Sequence, residues 1–397
     1  MTKHCIILNC IGTHISWVPM KFVFGKPTDE PFDREEETKT LENMIKRKQP
    51  TAVIGVRRIG KTSVILKTLK NVNLPKIYIS AEDFVEGKSF DLKSFLSYFS
   101  SLLITEVLNY VDPKRNISKI AKYKGKEVID RLKELVGYVK LSFNINLGEI
   151  EVFLEKGNES IPEVLDLPQK LSEEFKVDLV IAIDEFQYLR LASQNYPGLF
   201  NVLRSKWQFH KNVSYVVSGS SVGLLEHMFS NKKEPFYQFF FPVYIKAFDE
   251  KTSKLFLSQG FKDEGKEFEE EAVSYAVKEL DGIPAWLNYF GLKSISCEKV
   301  TLKCAMNTID EMYEDPIIKS AVLQEYNKLG KNARAVLKYL AEKGGKGSLR
   351  GLQIGRSSLN EGIKSLINEG YIRREERGVY SIIDPLISKV LHRSNVI

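Results

Sequence analysis

Eight consecutive residues, Gly55-Val56-Arg57-Arg58-Ile59-Gly60-Lys61-Thr62, carry glycine at the first and sixth positions and close on a Lys-Thr pair. That is the G-x-x-x-x-G-K-[ST] spacing of a phosphate loop at every fixed position. The residue types follow from the task. Glycines let the backbone turn tightly enough for successive N–H groups, from Gly55 through Ile59 and Gly60 to Ser63, to converge on a polyphosphate at a helix N-terminus. Lys61 places a positive charge along the β- and γ-phosphates, and the Thr62 hydroxyl is a hard oxygen ligand for Mg²⁺.

A second candidate is Asp184-Glu185, at the end of the apolar run Val177–Ile183. One carboxylate there can hold the metal and its neighbour can take a proton from an attacking water. Asp184 is assigned to Mg²⁺ and Glu185 to the general base. An acidic pair at a strand end is common by itself, but about 120 residues after a phosphate loop it gains meaning. Ser218 and Ser220 end a further apolar run, where a hydroxyl could meet the γ-phosphate or the water, or could simply complete a tight turn.

The elements around these residues must place them together. Thr51-Ala52-Val53-Ile54 is a buried strand, and helical periodicity resumes from Ser63 to Leu69. Ile77–Ile79, Val177–Ile183 and Ser214–Val217 read as further strands, and Val177–Ile183 is apolar on both faces. Strands alternating with helices specify a parallel α/β sheet. Strict alternation at Val139, Leu141, Phe143, Ile145 and Leu147, resumed at Ile150, Val152 and Leu154, predicts an inserted β-hairpin near residues 138–155. From about Glu250 to Ser320 the pattern is helical.

Several classes are disfavoured. No run of eighteen apolar residues occurs, so no membrane span is expected. Four cysteines (Cys5, Cys10, Cys297, Cys304) lack the spacing of a zinc site and are too few for a disulfide framework in 397 residues. Free thiols in a reducing, cytoplasmic compartment are expected. Lys3 and Cys5–Leu8 hint at a signal peptide, but Asn9 and His14 oppose one, and Met20 is the expected natural start.

The charge is unevenly placed. Residues 331–397 hold 13 Lys and Arg against 6 Asp and Glu, while the rest of the chain holds 45 of each, so the net charge of +7 lies at the C-terminal end. A polyanion partner fits such a segment. Ala333, Val336, Leu337 and Leu340 have helical spacing, as do Leu359, Ile363, Leu366 and Ile367. A short element lies between them at Ser348–Leu352, and Tyr371–Ile383 fits a hairpin with a charged tip. This is helix-turn-helix logic with a wing. On duplex DNA, Arg356, Ser357, Ser358, Asn360 and Lys364 would face bases and phosphates, and Arg373, Arg374 and Arg377 the backbone. Docking onto protein, or onto the chain's own catalytic domain, competes with that reading. A small-molecule kinase has no acceptor motif to support it.

Taken together, the stretches Gly55–Ser63, Ile183–Gln187, Ser218–Leu225 and Asp281-Gly-Ile-Pro-Ala-Trp-Leu287 resemble, in order, the motifs of the archaeal ATPase family. That family is of the STAND type of P-loop ATPase, related to AAA+ proteins. The resemblance spans residues from about 30 to 395. It implies an α/β parallel-sheet ATPase core of five strands, a helical lid domain and a C-terminal winged helix. The expected division is an N-terminal extension at 1–30, the ATPase domain at 31–249, the lid at 250–325 and the winged helix at 326–397. It also implies ATP or ADP and Mg²⁺ as cofactors, Phe32 and Arg34 near the adenine, and Gly282 and Pro284 as the turn by which the lid meets the nucleotide. Pro235-Phe236-Tyr237-Gln238-Phe239 departs from the family pattern, which has an arginine there, and so implies slow or partner-dependent hydrolysis. Two functions follow as expectations. One is an ATP-driven switch that binds DNA. The other is a STAND-type signalling ATPase whose winged helix docks protein. An oligomer is compatible with either.

Overall fold

The computed structural model describes residues 20–111, 161–394 and the strands at 139–144 and 149–154. The expectations for Met1–Pro19, including Cys5 and Cys10, and for the segment between residues 111 and 139 lie outside the described residues.

The central element is a five-stranded sheet. Its members are β1 (Thr51–Ile54), β2 (Lys76–Ser80), β7 (Leu179–Asp184), β8 (Val213–Gly219) and β9 (Phe241–Tyr244). Between them in sequence come the two-residue pair β3 (Val85–Glu86) and β4 (Ser89–Phe90), and the hairpin β5 (Val139–Asn144) and β6 (Glu149–Leu154). The sheet order is β2-β7-β8-β1-β9, and every neighbouring pair is parallel. β1, β7 and β8 are buried along their whole length, including the polar Thr51, Asp184, Ser214 and Ser218.

Strand alternation divides the core into two layers. Ala52, Ile54, Ile181, Ile183, Tyr215 and Val217 face one apolar cluster, covered by the helices Leu92–Val111, Ile161–Phe175 and Leu199–Trp207. Val53, Val180, Ala182 and Val216 face the other, against Leu41, Ile45, Val64 and Ile65 of the helices Glu35–Lys46 and Lys61–Asn71. The residues of β9 do not predict a strand. Pro242 argues against a strand, but on a sheet edge its missing N–H costs no ladder bond.

The expected hairpin forms, with Val139 opposite Leu154 and Asn144 opposite Glu149; Ile145 and Leu147 lie outside the described residues. Five helices follow the sheet: Glu250–Asp263, Glu270–Leu280, Pro284–Ser294, Leu302–Glu314 and Pro316–Lys328. Asp249 caps the first of them through Thr252 N, and Asp315 caps the last through Ile317 N.

The C-terminal part is the helix Lys331–Glu342, β10 (Lys346–Ser348), a 3-10 turn at Leu349–Gly351, the helix Arg356–Asn368, β11 (Ile372–Glu376), β12 (Val379–Ile382) and the helix Pro385–Arg393. β10, β12 and β11 form an antiparallel sheet in that order. The short element expected at Ser348–Leu352 contains a single 3-10 turn, Leu349–Gly351. Strand β10 and the closing helix had no separate signal. One apolar cluster runs from Phe256 to Leu391, so these helices and the C-terminal part share a core.

One expectation is overturned. Cys297 and Cys304 are not free thiols but are joined in a disulfide. Their separation of seven residues matches no motif, but the turn between helices Pro284–Ser294 and Leu302–Glu314 brings their Cα atoms to 6.7 Å, within bridging range.

Candidate functional site

The phosphate loop leaves β1 at Gly55 and enters the helix Lys61–Asn71 at Gly60. Gly55 is required by its surroundings and Gly60 by its backbone conformation. A Cβ on Gly55 would lie 2.6 Å from the Ile245 carbonyl oxygen, and Gly60 is left-handed at φ 96°. Arg58 also takes positive φ, 66°, so the loop turns sharply at its centre. Lys61 is buried at the helix start and its Nζ donates to the Val56 carbonyl at 3.0 Å, across the loop it would share with a phosphate. Burial pushes the Lys61 ammonium below the usual lysine range, against the opposing pull of Glu185 and Asp184.

Strand order explains how distant residues meet. β8 lies between β1 and β7, so the ends of three adjacent strands carry the loop, Ser218 and Asp184. Asp184 gathers four donors. Thr62 Oγ1 (2.9 Å) and Tyr78 OH (2.6 Å) donate to Oδ2, while Ser218 Oγ and the Glu185 backbone N–H donate to Oδ1. Burial and the neighbouring Asp184 charge push the Tyr78 phenol well above its ordinary value, so it stays a donor. Tyr78 carried no signal in the sequence. It reaches Asp184 because β2 and β7 pair with Ser80 beside Asp184 and Tyr78 two residues back on the same face.

Glu185 follows in left-handed conformation, φ 50° and ψ 41°. Its Oε2 accepts from Gln187 Nε2, from Ser220 Oγ at 2.8 Å and from Ser220 N at 3.3 Å. Thr62 and Asp184 present a hydroxyl and a carboxylate side by side, a hard-oxygen set that fits Mg²⁺. Among the described residues no cluster of three or more His, Cys, Asp or Glu offers another metal site.

The remaining candidates are placed as follows. Gly282 is left-handed at φ 68°, and a Cβ there would lie 2.0 Å from the Phe248 carbonyl oxygen. Pro284 is the first residue of its helix, and the next residue's backbone N–H donates to the Arg58 carbonyl at 3.3 Å. That turn therefore touches the phosphate loop. Ser63 Oγ accepts from Thr28 N at 3.1 Å. Phe32 packs on Phe248 and Phe256. Arg34 is buried, stacks over Phe248 and donates to the Lys246 carbonyl at 2.6 Å, tying the entry segment to the strand exit. In the departing stretch, Phe236 is buried against Phe186, Phe200 and Trp207, and Phe239 lies under Arg204.

The two loop arginines point elsewhere. Arg57 donates to Tyr371 OH at 2.6 Å and to Glu325 at 3.3 Å. Arg58 donates to Glu325 at 2.6 Å and to Asp384 at 3.0 Å, and lies 4.9 Å over the Trp286 ring. The loop's arginine side chains thus hold the helices and the C-terminal part. Nothing in the sequence linked positions so far apart.

The C-terminal candidates lie away from this centre. Arg356, Asn360, Lys364, Arg373, Arg374 and Arg377 are exposed and Ser358 is partly so. Arg373 pairs with Glu375 at 2.8 Å. The other end of the helix Arg356–Asn368 lies on the sheet domain. A Cβ on Gly223 would lie 2.8 Å from the Ile367 carbonyl oxygen, and one on Gly370 would lie 2.9 Å from that of Ser220.

The model of a family described as an ATPase domain predominantly from Archaea matches residues 32–290. The chain belongs to the archaeal ATPase family. No curated protein matches it. A Walker-type ATPase of Pyrococcus abyssi is similar at 24% identity and TM-score 0.67, covering 92% of this chain and 98% of that one. The ORC2 protein of Aeropyrum pernix, in complexes with ADPNP and ADP, is similar at 13% identity and TM-score 0.55, covering 93% and 95%. These likenesses extend the fold of this archaeal ATPase family member beyond residue 290 to nearly the whole chain. No described helix is long and apolar enough to cross a membrane.

Proposed function

We propose that this archaeal ATPase is an ATP-binding and ATP-hydrolysing switch, with residues 250–325 as a lid and residues 326–397 as a winged helix that binds duplex DNA. The carrying observation is the convergence of Lys61, Thr62, Asp184, Ser218 and Glu185 at the ends of three adjacent strands. Loop amides and Lys61 hold the β- and γ-phosphates. Thr62 and Asp184 hold Mg²⁺, which neutralises phosphate charge when bound. Glu185 takes the proton of the attacking water, and Ser218 fixes Asp184.

The switch has a physical route. Arg57, Arg58 and the Arg58 carbonyl join the phosphate loop to Glu325, Asp384, Tyr371 and the helix at Pro284. A change in loop conformation on nucleotide binding would therefore reach the C-terminal part directly. The exposed basic residues from Arg356 to Arg377 are the DNA face, since they remain accessible while the helix's other end is docked. The neighbour from Aeropyrum pernix, in complexes with ADPNP and ADP, supports nucleotide binding here.

The same docking favours a second reading, a STAND-type signalling ATPase in which the winged helix rests on its own ATPase domain and binds no DNA. Duplex DNA titrated by fluorescence anisotropy at several salt concentrations, with ATPase rate measured in parallel, separates them. DNA binding should weaken steeply with salt, as the neutralising of several phosphates requires. Absence of binding at low salt leaves the second reading.

A further inference from the structure

We infer that Gln187 is a positioning residue for hydrolysis: its side-chain amide, with Ser220, holds one oxygen of Glu185 so that the other faces the attacking water. The inference rests on Glu185 being the general base.

The Glu185 carboxylate is asymmetric. Three donors converge on Oε2, namely Gln187 Nε2, Ser220 Oγ and Ser220 N. Among the described residues Oε1 has no hydrogen-bond partner, so one oxygen is fixed and the other is available to a proton. The backbone supports this aim, because the left-handed turn at Glu185 folds residue 187 back beside it. Such a conformation in a non-glycine residue costs free energy and persists where surrounding contacts enforce it.

Gln187 is specified as strongly as the base. It is 5% exposed, and its Oε1 has no partner among the described residues, so the buried amide is held by its donor bond to Glu185. Space for the amide is cut into the opposite strand. A Cβ on Gly219 would lie 2.0 Å from Gln187 Oε1 and 2.9 Å from Leu225, so only glycine at the end of β8 leaves room. An acidic residue at 187 would repel Glu185, and an apolar one would release its carboxylate to turn. The amide supplies a donor without a charge.

In the step itself, water oxygen bonds to Pγ and the bond from Pγ to the β–γ bridging oxygen breaks, its electron pair leaving on ADP. The water proton passes to Glu185 Oε1. Gln187 gives and takes no proton.

The experiment is single-turnover hydrolysis of Mg·ATP, with affinity for a non-hydrolysable ATP analogue measured beside it. Gln187→Met keeps the volume and removes the donor, and should slow the chemical step by about 10–100-fold while affinity stays within about 2-fold. Gly219→Ala displaces the amide from the other side and should act alike. Adding Gln187→Met to Glu185→Gln should cause no further loss, because the positioned group is already gone. A native rate in Gln187→Met, or a further loss on top of Glu185→Gln, overturns the assignment. If Gln187→Met fails to bind the analogue, a native rate in Gly219→Ala overturns it instead. A native rate in Glu185→Gln would instead sink the general-base reading itself.

Discussion

Arg58 of the phosphate loop and Asp384 of the C-terminal part meet as an ion pair, Nη1 to Oδ2 at 3.0 Å, across 326 residues of sequence. The same carboxylate accepts from Trp286 Nε1 at 2.9 Å and caps the last helix through Leu386 N at 2.9 Å. Burial pushes the Asp384 carboxyl above the ordinary range, opposed by Arg58 and Trp286. One side chain thus joins the loop, the helices after the sheet and the C-terminal part.

Asp384→Ala leaves Arg58 with Glu325 alone and strips both Trp286 and the last helix of their acceptor. Losing one partner of a buried charge pair costs about 3 kcal/mol. Hydrogen exchange between residues 331 and 394 should accelerate, with β1 and β7 little changed. Uniform exchange in variant and native protein would show that the ion pair does not hold this part in place.

Lys61→Ala removes the positive charge at the mouth of the loop. Nucleotide affinity should fall by at least about 10-fold, corresponding to about 1.4 kcal/mol, whereas Glu185→Gln should retain ATP and lose turnover. Calorimetry and a phosphate-release assay on the two variants check the split.

Nucleotide binding should be linked to protons through Lys61. In the free protein its ammonium titrates below the ordinary 10.5, chiefly because it is buried. A bound polyphosphate adds negative charge and raises that value, so the complex takes up a proton between the two. Affinity should therefore fall as pH rises from the lowered value of the free protein to the raised value of the complex. Calorimetry in buffers of different ionisation enthalpy should detect uptake in native protein and none in Lys61→Ala.

Gly282→Ala would force a Cβ to within 2.0 Å of the Phe248 carbonyl oxygen in a left-handed backbone. The clash and strain together cost about 2–4 kcal/mol. Thermal denaturation should begin several degrees lower, and nucleotide should restore part of the loss. An unchanged Tm would mean that the turn at 281–284 rearranges freely.

Replacing Arg373, Arg374 and Arg377 by alanine should flatten the salt dependence of DNA binding, by a slope of about 0.9 for each phosphate that is no longer neutralised. Equal slopes would exclude the wing from the interface.

What could be read from sequence was local. Gly55, Gly60, Lys61 and Thr62 form one loop within eight residues, and the apolar run before Asp184 locates a buried strand end. The helices Lys331–Glu342 and Arg356–Asn368 and the hairpin β11–β12 follow from spacing for the same reason. The illegible parts depend on register and long-range packing. Tyr78 reaches Asp184 only through the β2–β7 pairing, β9 contains a proline that only an edge tolerates, and the partners of Arg57 and Arg58, namely Glu325, Tyr371 and Asp384, lie too far along the chain for spacing to reveal them. Cys297 and Cys304 show the same limit, since a turn sets their distance.

Calorimetric titration of the native chain with ATP and magnesium tests the central claim most directly. Saturable binding at one site, abolished or greatly weakened in Lys61→Ala, is the predicted result. If native protein retains neither ATP nor ADP, or Lys61→Ala binds as well as native, residues 55–62 are not a polyphosphate site and the account fails.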